Sequence, residues 1–275
     1  MAAATLIVLL AVAGVYLLSL HGPHRQSVVA RSSPSPSPSA SASPHHHVRH
    51  VSVPILMYHH VAPVRKGSPL LYVSPTQLAA QLAYLQGHGY HVVTLQQLYD
   101  AWMNGGSLPA KPVVLSFDDG YPDQYRYAAP LLRRFGDPAV LNLIVHNLGG
   151  AFTQAMVAQM IAWGWELDSH TISHRDLARL SPGQLRHELV GSRNLLRRSF
   201  GVTVNFFCYP GGVHDAKVVA AVRKAGYLAA TSIQYGLADP TELFSLPRIV
   251  VYWGESQSRF GARLRAAQWA EAVGS

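Results

Sequence analysis

Asp118 and Asp119 stand side by side between the apolar run PVVLSF (112–117) and Gly120. Two adjacent carboxylates at the end of a buried segment repel each other and lose solvation, so a cation or hydrogen bonds must offset the cost. Taken alone, Asp-Asp-Gly also reads as an ordinary turn. A second group follows the run WELD (165–168): Ser169, His170, Thr171, Ile172, Ser173 and His174. The four-residue spacing puts His170 and His174 on one side of a helical turn. Two neutral imidazoles and one carboxylate make a three-ligand metal site that keeps a position open for water. The plain alternative is a pair of loop histidines, since the chain has 15. A third group is Phe207, Cys208, Tyr209, Pro210, Gly211 and Gly212, where Pro and Gly permit a tight loop with free backbone N–H groups suited to an oxyanion. The fourth is Met57, Tyr58, His59 and His60, where a histidine could serve as a general acid.

These groups need strand ends to hold them. VPILMY (53–58), HVVTL (91–95), PVVLSF, AVLNLIV (139–145), WELD, VNFFCY (204–209), YLAAT (227–231) and SLPRIVV (245–251) read as short buried strands. Helices are expected over 75–86, near Leu98, and over 125–135, 153–163, 181–200, 215–225 and 255–272, with Ser74 and Ser181 as caps, each followed by Pro, and Gly136 and Gly201 as stops. Strand and helix alternate throughout, which predicts an α/β fold with a parallel sheet, either a barrel or an open doubly wound sheet. In both, side chains that do chemistry sit at the C-terminal ends of strands.

Composition permits a packed core: 49% of residues are hydrophobic and 13% charged. The formal charge is +8, from 22 basic and 14 acidic residues. Arg25, Arg31 and Arg49 precede residue 51, where there is no acid, so the remaining 19 basic and 14 acidic residues leave +5 on residues 51–275. That balance suits an anionic wall or membrane surface and argues little for nucleic acid. Cys208 is the single cysteine, which excludes an intrachain disulfide and a cysteine-based zinc site and reads as a small buried hydrophobe. Residues 2–20 form an uncharged apolar run long enough to span a bilayer, so 1–22 reads as a signal anchor or signal peptide, the anchor being favoured. Arg25 and Arg31 follow the run with no basic residue before it, an asymmetry that points the other way under the positive-inside rule. Residues 23–52 form a Ser/Pro/His-rich linker, including SSPSPSPSASASP (32–44). Residues 53–275 form the folded domain.

The ordered set YHH, SFDDG, HTISH and FCYPGG resembles the polysaccharide deacetylases of the NodB-homology type, carbohydrate esterase family four, over roughly residues 53–250. The resemblance implies a distorted (β/α)7-type barrel. It implies a divalent metal held by Asp119, His170 and His174, Zn2+ foremost with Co2+ or Ni2+ open, and Asp118 as catalytic base. The early YHH is similar to the branch acting on poly-N-acetylglucosamine, which gives the acid role to His59, with His60 the weaker candidate. One position departs from the family: its third-motif Arg-x-Pro is here Cys208-Tyr209-Pro210. Arg248 is the candidate replacement that keeps Asp118 ionised. Tyr209, Pro210 and Gly211 are expected to line the substrate and oxyanion side, and Tyr209, Trp163, Trp165 and Trp253 are candidate sugar-stacking rings, or else core aromatics. The expected activity is removal of N-acetyl groups from N-acetylglucosamine-containing wall or exopolysaccharide, by an extracytoplasmic monomer tethered to the membrane through its N-terminal segment. O-acetyl ester hydrolysis on the same scaffold and a non-catalytic wall-binding protein are the alternatives.

Overall fold

The computed structural model describes residues 51–274. The expected leader at 1–22 and nearly all of the linker at 23–52 lie outside the described residues. Among the described residues no helix is long and apolar enough to cross a membrane.

The elements run β1 (Ile55–Tyr58), β2 (His60–Val61), β3 (Tyr72–Val73), α1 (Pro75–Gly87), β4 (His91–Val92), α2 (Leu95–Met103), β5 (Pro112–Asp119), α3 (Ala129–Phe135), β6 (Ala139–Leu143), α4 (Gln154–Ala162) and β7 (Trp165–Ser169). They continue with α5 (Pro182–Arg186), α6 (Ser192–Phe200), β8 (Phe206–Cys208), α7 (Ala216–Lys224), β9 (Ala229–Thr231), β10 (Ile249–Val250) and α8 (Gln257–Gly274). Local chemistry sets the helix starts. The Ser74 hydroxyl accepts from Gln77 N–H ahead of Pro75, Thr94 and Ser181 form capping boxes with Gln97 and Gln184, and Asp215 caps Val218 N–H. Left-handed Gly136 and Gly201 end α3 and α6.

Strand order in the main sheet is β10-β1-β5-β6-β7-β8-β9, with β4 also paired to β5 and every pairing parallel. A parallel bridge between Thr231 and Leu246 joins the end of β9 to the residues leading into β10. The sheet therefore curls back on itself as a distorted barrel, the architecture implied by the motif set.

The strand alternation sorts side chains onto two faces. Val113, Leu115 and Phe117 of β5, Leu141 of β6 and Phe207 of β8 pack under the helices. Val114, Val140, Phe206 and Ala229 face the other way and pack with Leu95, Leu98 and Trp102 of α2. Two residues further along each strand that second face turns polar, with Ser116 then Asp118 on β5, Asn142 on β6 and Thr231 on β9 all buried, and Cys208 beside them on β8. One end of the barrel interior is thus an apolar plug and the other a buried polar chamber.

Several elements differ from the sequence reading. The helix expected over 181–200 is α5 and α6 joined through a π turn at His187–Gly191, and the helix expected from Tyr125 opens with a π turn at Gln124–Ala128. The strands expected at 91–95, 204–209, 227–231 and 245–251 shrink to two or three residues each, because apolar side chains bury from irregular backbone as readily as from ladders.

Trp102 is the largest side chain of the plug, and its indole N–H donates to Val51 O at 2.8 Å. Trp102→Ala should lower the unfolding free energy by about 3–5 kcal/mol, read as a shifted urea midpoint. An unshifted midpoint would show that the plug does not hold this end of the barrel.

Candidate active site

Asp118 and Asp119 are the last two residues of β5 rather than residues beyond it. Alternation alone would point them to opposite faces. Asp119 has φ 76°, a left-handed conformation that an Asp side chain tolerates at a cost, and this turns its carboxylate back over the rim beside Asp118. Gly120 follows with φ 82°, and a Cβ there would meet Leu143 Cδ1 at 2.2 Å, so the turn admits no side chain. Asn147 Nδ2 donates to Asp119 O at 2.9 Å and fixes the turn from the next loop.

His170 and His174 come together by another route than the helical turn expected. Residues 170–174 are irregular, with left-handed backbone at Thr171 (φ 72°) and His174 (φ 57°). The buried carboxylate of Glu188, in the π turn of the following helix, accepts Ile172 N–H and Ser173 N–H at 2.9 Å each, and the Ser173 hydroxyl. The loop is also tied to β6 by His170 N–H to Leu143 O at 3.0 Å. Three ligand atoms then converge: Asp119 Oδ1 lies 3.5 Å from His170 Nε2 and 3.7 Å from His174 Nε2, and the two Nε2 atoms are 3.1 Å apart.

This donor set fits a divalent metal. His170 Nδ1 is 2.7 Å from Cys208 O, so it carries the proton and donates it there, leaving the Nε2 lone pair toward Asp119. Asp119 Oδ1 is buried without a hydrogen-bond partner, and three electron-rich atoms meet where a cation would relieve them. Asp118, His170 and Cys208 also lie close enough to form a second ligand triad, in which the single cysteine, expected to make no cysteine-based zinc site, joins a carboxylate and an imidazole. The Arg248 guanidinium, 3.3 Å from Cys208 Sγ, disfavours a cation there.

Asp118 is held differently. Its Oδ1 accepts from Arg248 Nη1 at 2.8 Å and Asn142 Nδ2 at 2.7 Å. Arg248 is 2% exposed, and it also donates from Nε to Ser232 O at 2.8 Å and from Nη1 to Ser116 Oγ at 3.1 Å. Burial pushes the Asp118 carboxyl up; Arg248 first, then His59, reverse this and hold it well below the usual carboxylate range. On the other side, Asp118 Oδ2 faces His59 Nε2 at 3.8 Å and Cys208 Sγ at 3.7 Å. Cys208 is buried as expected, but among polar groups beside this carboxylate. Burial lowers the His59 imidazole against the pull of Asp118 and Asp119. Gln124, buried in the first π turn, donates from Nε2 to both Asp118 O (2.6 Å) and His59 O (2.9 Å), locking the ends of β5 and β1 together.

Other predicted residues fall elsewhere. His60 Nδ1 bonds Asp123 Oδ2 at 2.6 Å, and its ring stacks between Tyr72 and Tyr121. Tyr209 is buried, with its hydroxyl on Phe244 O and its N–H on Thr231 O, so neither ring nor amide faces a substrate. Pro210 has no N–H; it opens a 3-10 turn in which Gly211 is left-handed. Trp165 is buried against Phe117, while Trp163 and Trp253 are half-buried. Sequence reasoning missed Asn142, Gln124 and Glu188. Glu188 had a signal: a carboxylate inside the buried helical stripe Leu185, Leu189, Ser192, Leu196.

Residues 105–230 match the family model described as polysaccharide deacetylase. The Bacillus subtilis protein named "Putative polysaccharide deacetylase YxkH" is 29% identical over 217 residues, 78% of this chain and 76% of its own length. The poly-beta-1,6-N-acetyl-D-glucosamine N-deacetylase of Escherichia coli K12 is 24% identical over an alignment spanning 78% of this chain and 38% of that protein. Among solved structures, the Streptococcus pyogenes deacetylase PplD in complex with acetate superposes with a TM-score of 0.73 at 25% identity, covering 78% of this chain and 99% of that one.

Two outcomes test this geometry. Glu188→Ala strips three donors of their acceptor, so metal affinity should fall about 10- to 100-fold in a chelator competition; unchanged affinity would free the loop from Glu188. Arg248→Met leaves Asp118 buried without its counter-charge, at a cost of roughly 3–5 kcal/mol in stability. With its pKa depressed, Asp118 contributes stability that is present above its unfolded pKa and lost as pH falls through the folded one. Arg248→Met should remove that contribution and shift the acid limb of any rate profile to higher pH, and an unmoved limb would count against the pair.

Proposed function

We propose that this chain, which stands among the polysaccharide deacetylases by its motifs, its family match and its fold, hydrolyses N-acetyl groups from N-acetylglucosamine units of a cell-wall or exopolysaccharide in a metal-dependent reaction. One observation carries the reading: a converging Asp119, His170 and His174 ligand set lies directly beside a second carboxylate, Asp118, kept charged by a buried arginine.

Asp119, His170 and His174 would hold the metal, Zn2+ first and Co2+ or Ni2+ accepted by the same donors. When bound, it supplies Lewis acidity toward the acetamide carbonyl and lowers the pKa of water. Asp118, ionised through Arg248 and Asn142, takes a proton from the attacking water. His59, whose Nε2 faces Asp118 Oδ2 at 3.8 Å, gives a proton to the departing amine. Gln124 fixes the spacing of these two groups, because it bonds both of their backbone carbonyls. Acetate and a free amino sugar are the products. The exposed side of His174 is where the polymer would approach, since the rest of the cluster is buried. The apolar run at 2–20 and the Ser/Pro tract support a tethered enzyme working outside the membrane.

The test is mass spectrometry and acetate release on peptidoglycan, poly-N-acetylglucosamine, chitin fragments and an acetylated xylan, with and without chelator. N-deacetylation that stops on chelation is expected; release from the ester substrate alone would replace the reading with an esterase. Asp119→Ala and His174→Ala should lose both metal and turnover, whereas Asp118→Asn should lose turnover and keep metal. Full activity in any of the three would overturn these roles.

A further inference from the structure

Helices α1 and α8 lie side by side and run the same way. Gly254 N–H donates to Gln77 Oε1 at 3.1 Å, Gln257 Nε2 to Ala80 O at 3.1 Å and Arg265 Nη1 to the Tyr84 hydroxyl at 2.7 Å, so partners advance together along both segments. The approach is close, since a Cβ on Gly261 would meet the Tyr84 hydroxyl oxygen at 2.1 Å. Parallel packing sets the two helix starts next to each other, and their partial positive charges add instead of cancelling. A cavity of about 370 Å³ opens at that place, between Ser74, Thr76 and Gln77 at the start of α1 and Trp253, Gly254 and Gln257 at the start of α8. That volume falls in the range of small-molecule pockets.

The groups around this cavity are donors. A helix leaves its first N–H groups without an intrahelical partner. In α1, Pro75 has no N–H and the Ser74 hydroxyl takes Gln77 N–H at 3.0 Å, which leaves Thr76 N–H for an outside acceptor. In α8 the Ser256 hydroxyl takes Arg259 N–H at 3.2 Å, which leaves Gln257 N–H. Gln81 adds a side-chain donor. It lines the cavity and is 1% exposed; its Oε1 accepts the Tyr58 hydroxyl at 3.2 Å, and its buried Nε2 has no hydrogen-bond partner among the described residues. A buried amide N–H calls for an acceptor. The charges agree. Glu255 is the one charged residue of the lining, and its fully buried carboxylate is neutralised by Arg263, whose Nε and Nη2 donate to Oε1 and Oε2 at 2.6 and 2.9 Å. Arg263 and Arg259 both lie over the Tyr252 ring, 4.9 and 5.8 Å from its centroid, and Tyr252 O accepts Gln77 Nε2 at 2.7 Å. Two adjoining helix starts with a buried amide donor between them form an anion site. The half-buried Trp253 supplies an apolar wall for whatever carries the anion. We propose that the cavity between the starts of α1 and α8 binds a phosphoryl group, borne by free phosphate or by a small phosphate ester. The site shares no residue with the candidate active site and stands whether or not the chain is a deacetylase.

The test titrates the full chain with inorganic phosphate, glycerol phosphate, acetate and glycerol by calorimetry, with tryptophan fluorescence followed in parallel. Both phosphates should bind, and acetate and glycerol should bind far more weakly. Gln81→Leu should raise the phosphate Kd about tenfold, and Gln81→Glu, which sets a like charge against the anion, should abolish binding. Leu195→Ala, an exposed apolar residue on α6, should leave the Kd unchanged. Tighter binding of glycerol phosphate assigns the ester as occupant, and tighter binding of inorganic phosphate assigns the free ion. Acetate binding as tightly as phosphate overturns the phosphoryl class. Phosphate held by a metal at the candidate active site would be lost with Asp119→Ala and indifferent to Gln81; that pattern, or equal affinity in the parent and Gln81→Glu, overturns the site. Should neither Gln81 variant fold, Trp253→Phe decides: it should erase the fluorescence response to phosphate, and a response that persists places the anion elsewhere.

Discussion

The ion pair between Asp118 and Arg248 lies inside the barrel, with both side chains almost wholly removed from water. A carboxylate in such a place would normally take up a proton, and a guanidinium cannot lose one, so each charge needs the other. The pair fixes more than a protonation state. Arg248 sits just before β10 and reaches across the chamber to β5, while bonding the loop after β9 and lying against Cys208 of β8. Four segments of the curled sheet meet on one side chain. Asn142 of β6 adds a fifth, since it is Asp118's direct neighbour in the ladder and donates to the same oxygen.

Around that pair, the two carboxylates of one motif acquire different environments. Asp118 has its Oδ1 saturated by an arginine and an amide, and its Oδ2 faces a histidine. Asp119 Oδ1 is left unpartnered against two imidazoles. Opposed surroundings of this kind give two chemically identical groups different electrostatics. The arrangement has a conformational cost. Asp119, Thr171 and His174 all carry left-handed backbone, at roughly 1–3 kcal/mol each for non-glycine residues. The surrounding bonds hold them there: Asn147 on Asp119 O, Glu188 on the amides of Ile172 and Ser173, and the Thr171 hydroxyl on His174 N–H.

The two π turns belong to the same scheme. Each inserts one extra residue into a helix and places a buried polar side chain where a regular helix would turn it away. Gln124 thereby reaches the carbonyls of Asp118 and His59, and Glu188 reaches the histidine loop. The chemistry-bearing side chains stand on strand ends and loops, and the helices behind them set the spacing. The likeness to deacetylases is consistent with this division, since it extends over most of the chain at modest identity.

By itself the sequence determined the alternating α/β order, the parallel sheet and four short motifs that each end a strand. It also supplied the carboxylate and imidazole residues of the candidate site, because every one of these properties is written in neighbouring residues: period-two and helical apolar patterns, caps, turn formers, and a carboxylate or imidazole set at a fixed spacing. The motif order, through its family resemblance, favoured the closed form of the sheet over the open one. Tertiary structure decided what locks the site. Arg248 is 130 residues from Asp118, Asn142 is 24 away, and Glu188 is 15 and 16 residues from the amides it holds. No local pattern specifies such pairings, which depend on strand register and on the curl that brings β10 beside β1. The same reason explains the misread details. The histidine pair is set by left-handed residues and a distant carboxylate instead of a helical turn, Tyr209 points away from the site, and the lone thiol of Cys208 faces Asp118 because alternation along β8 turns it into the polar end of the barrel.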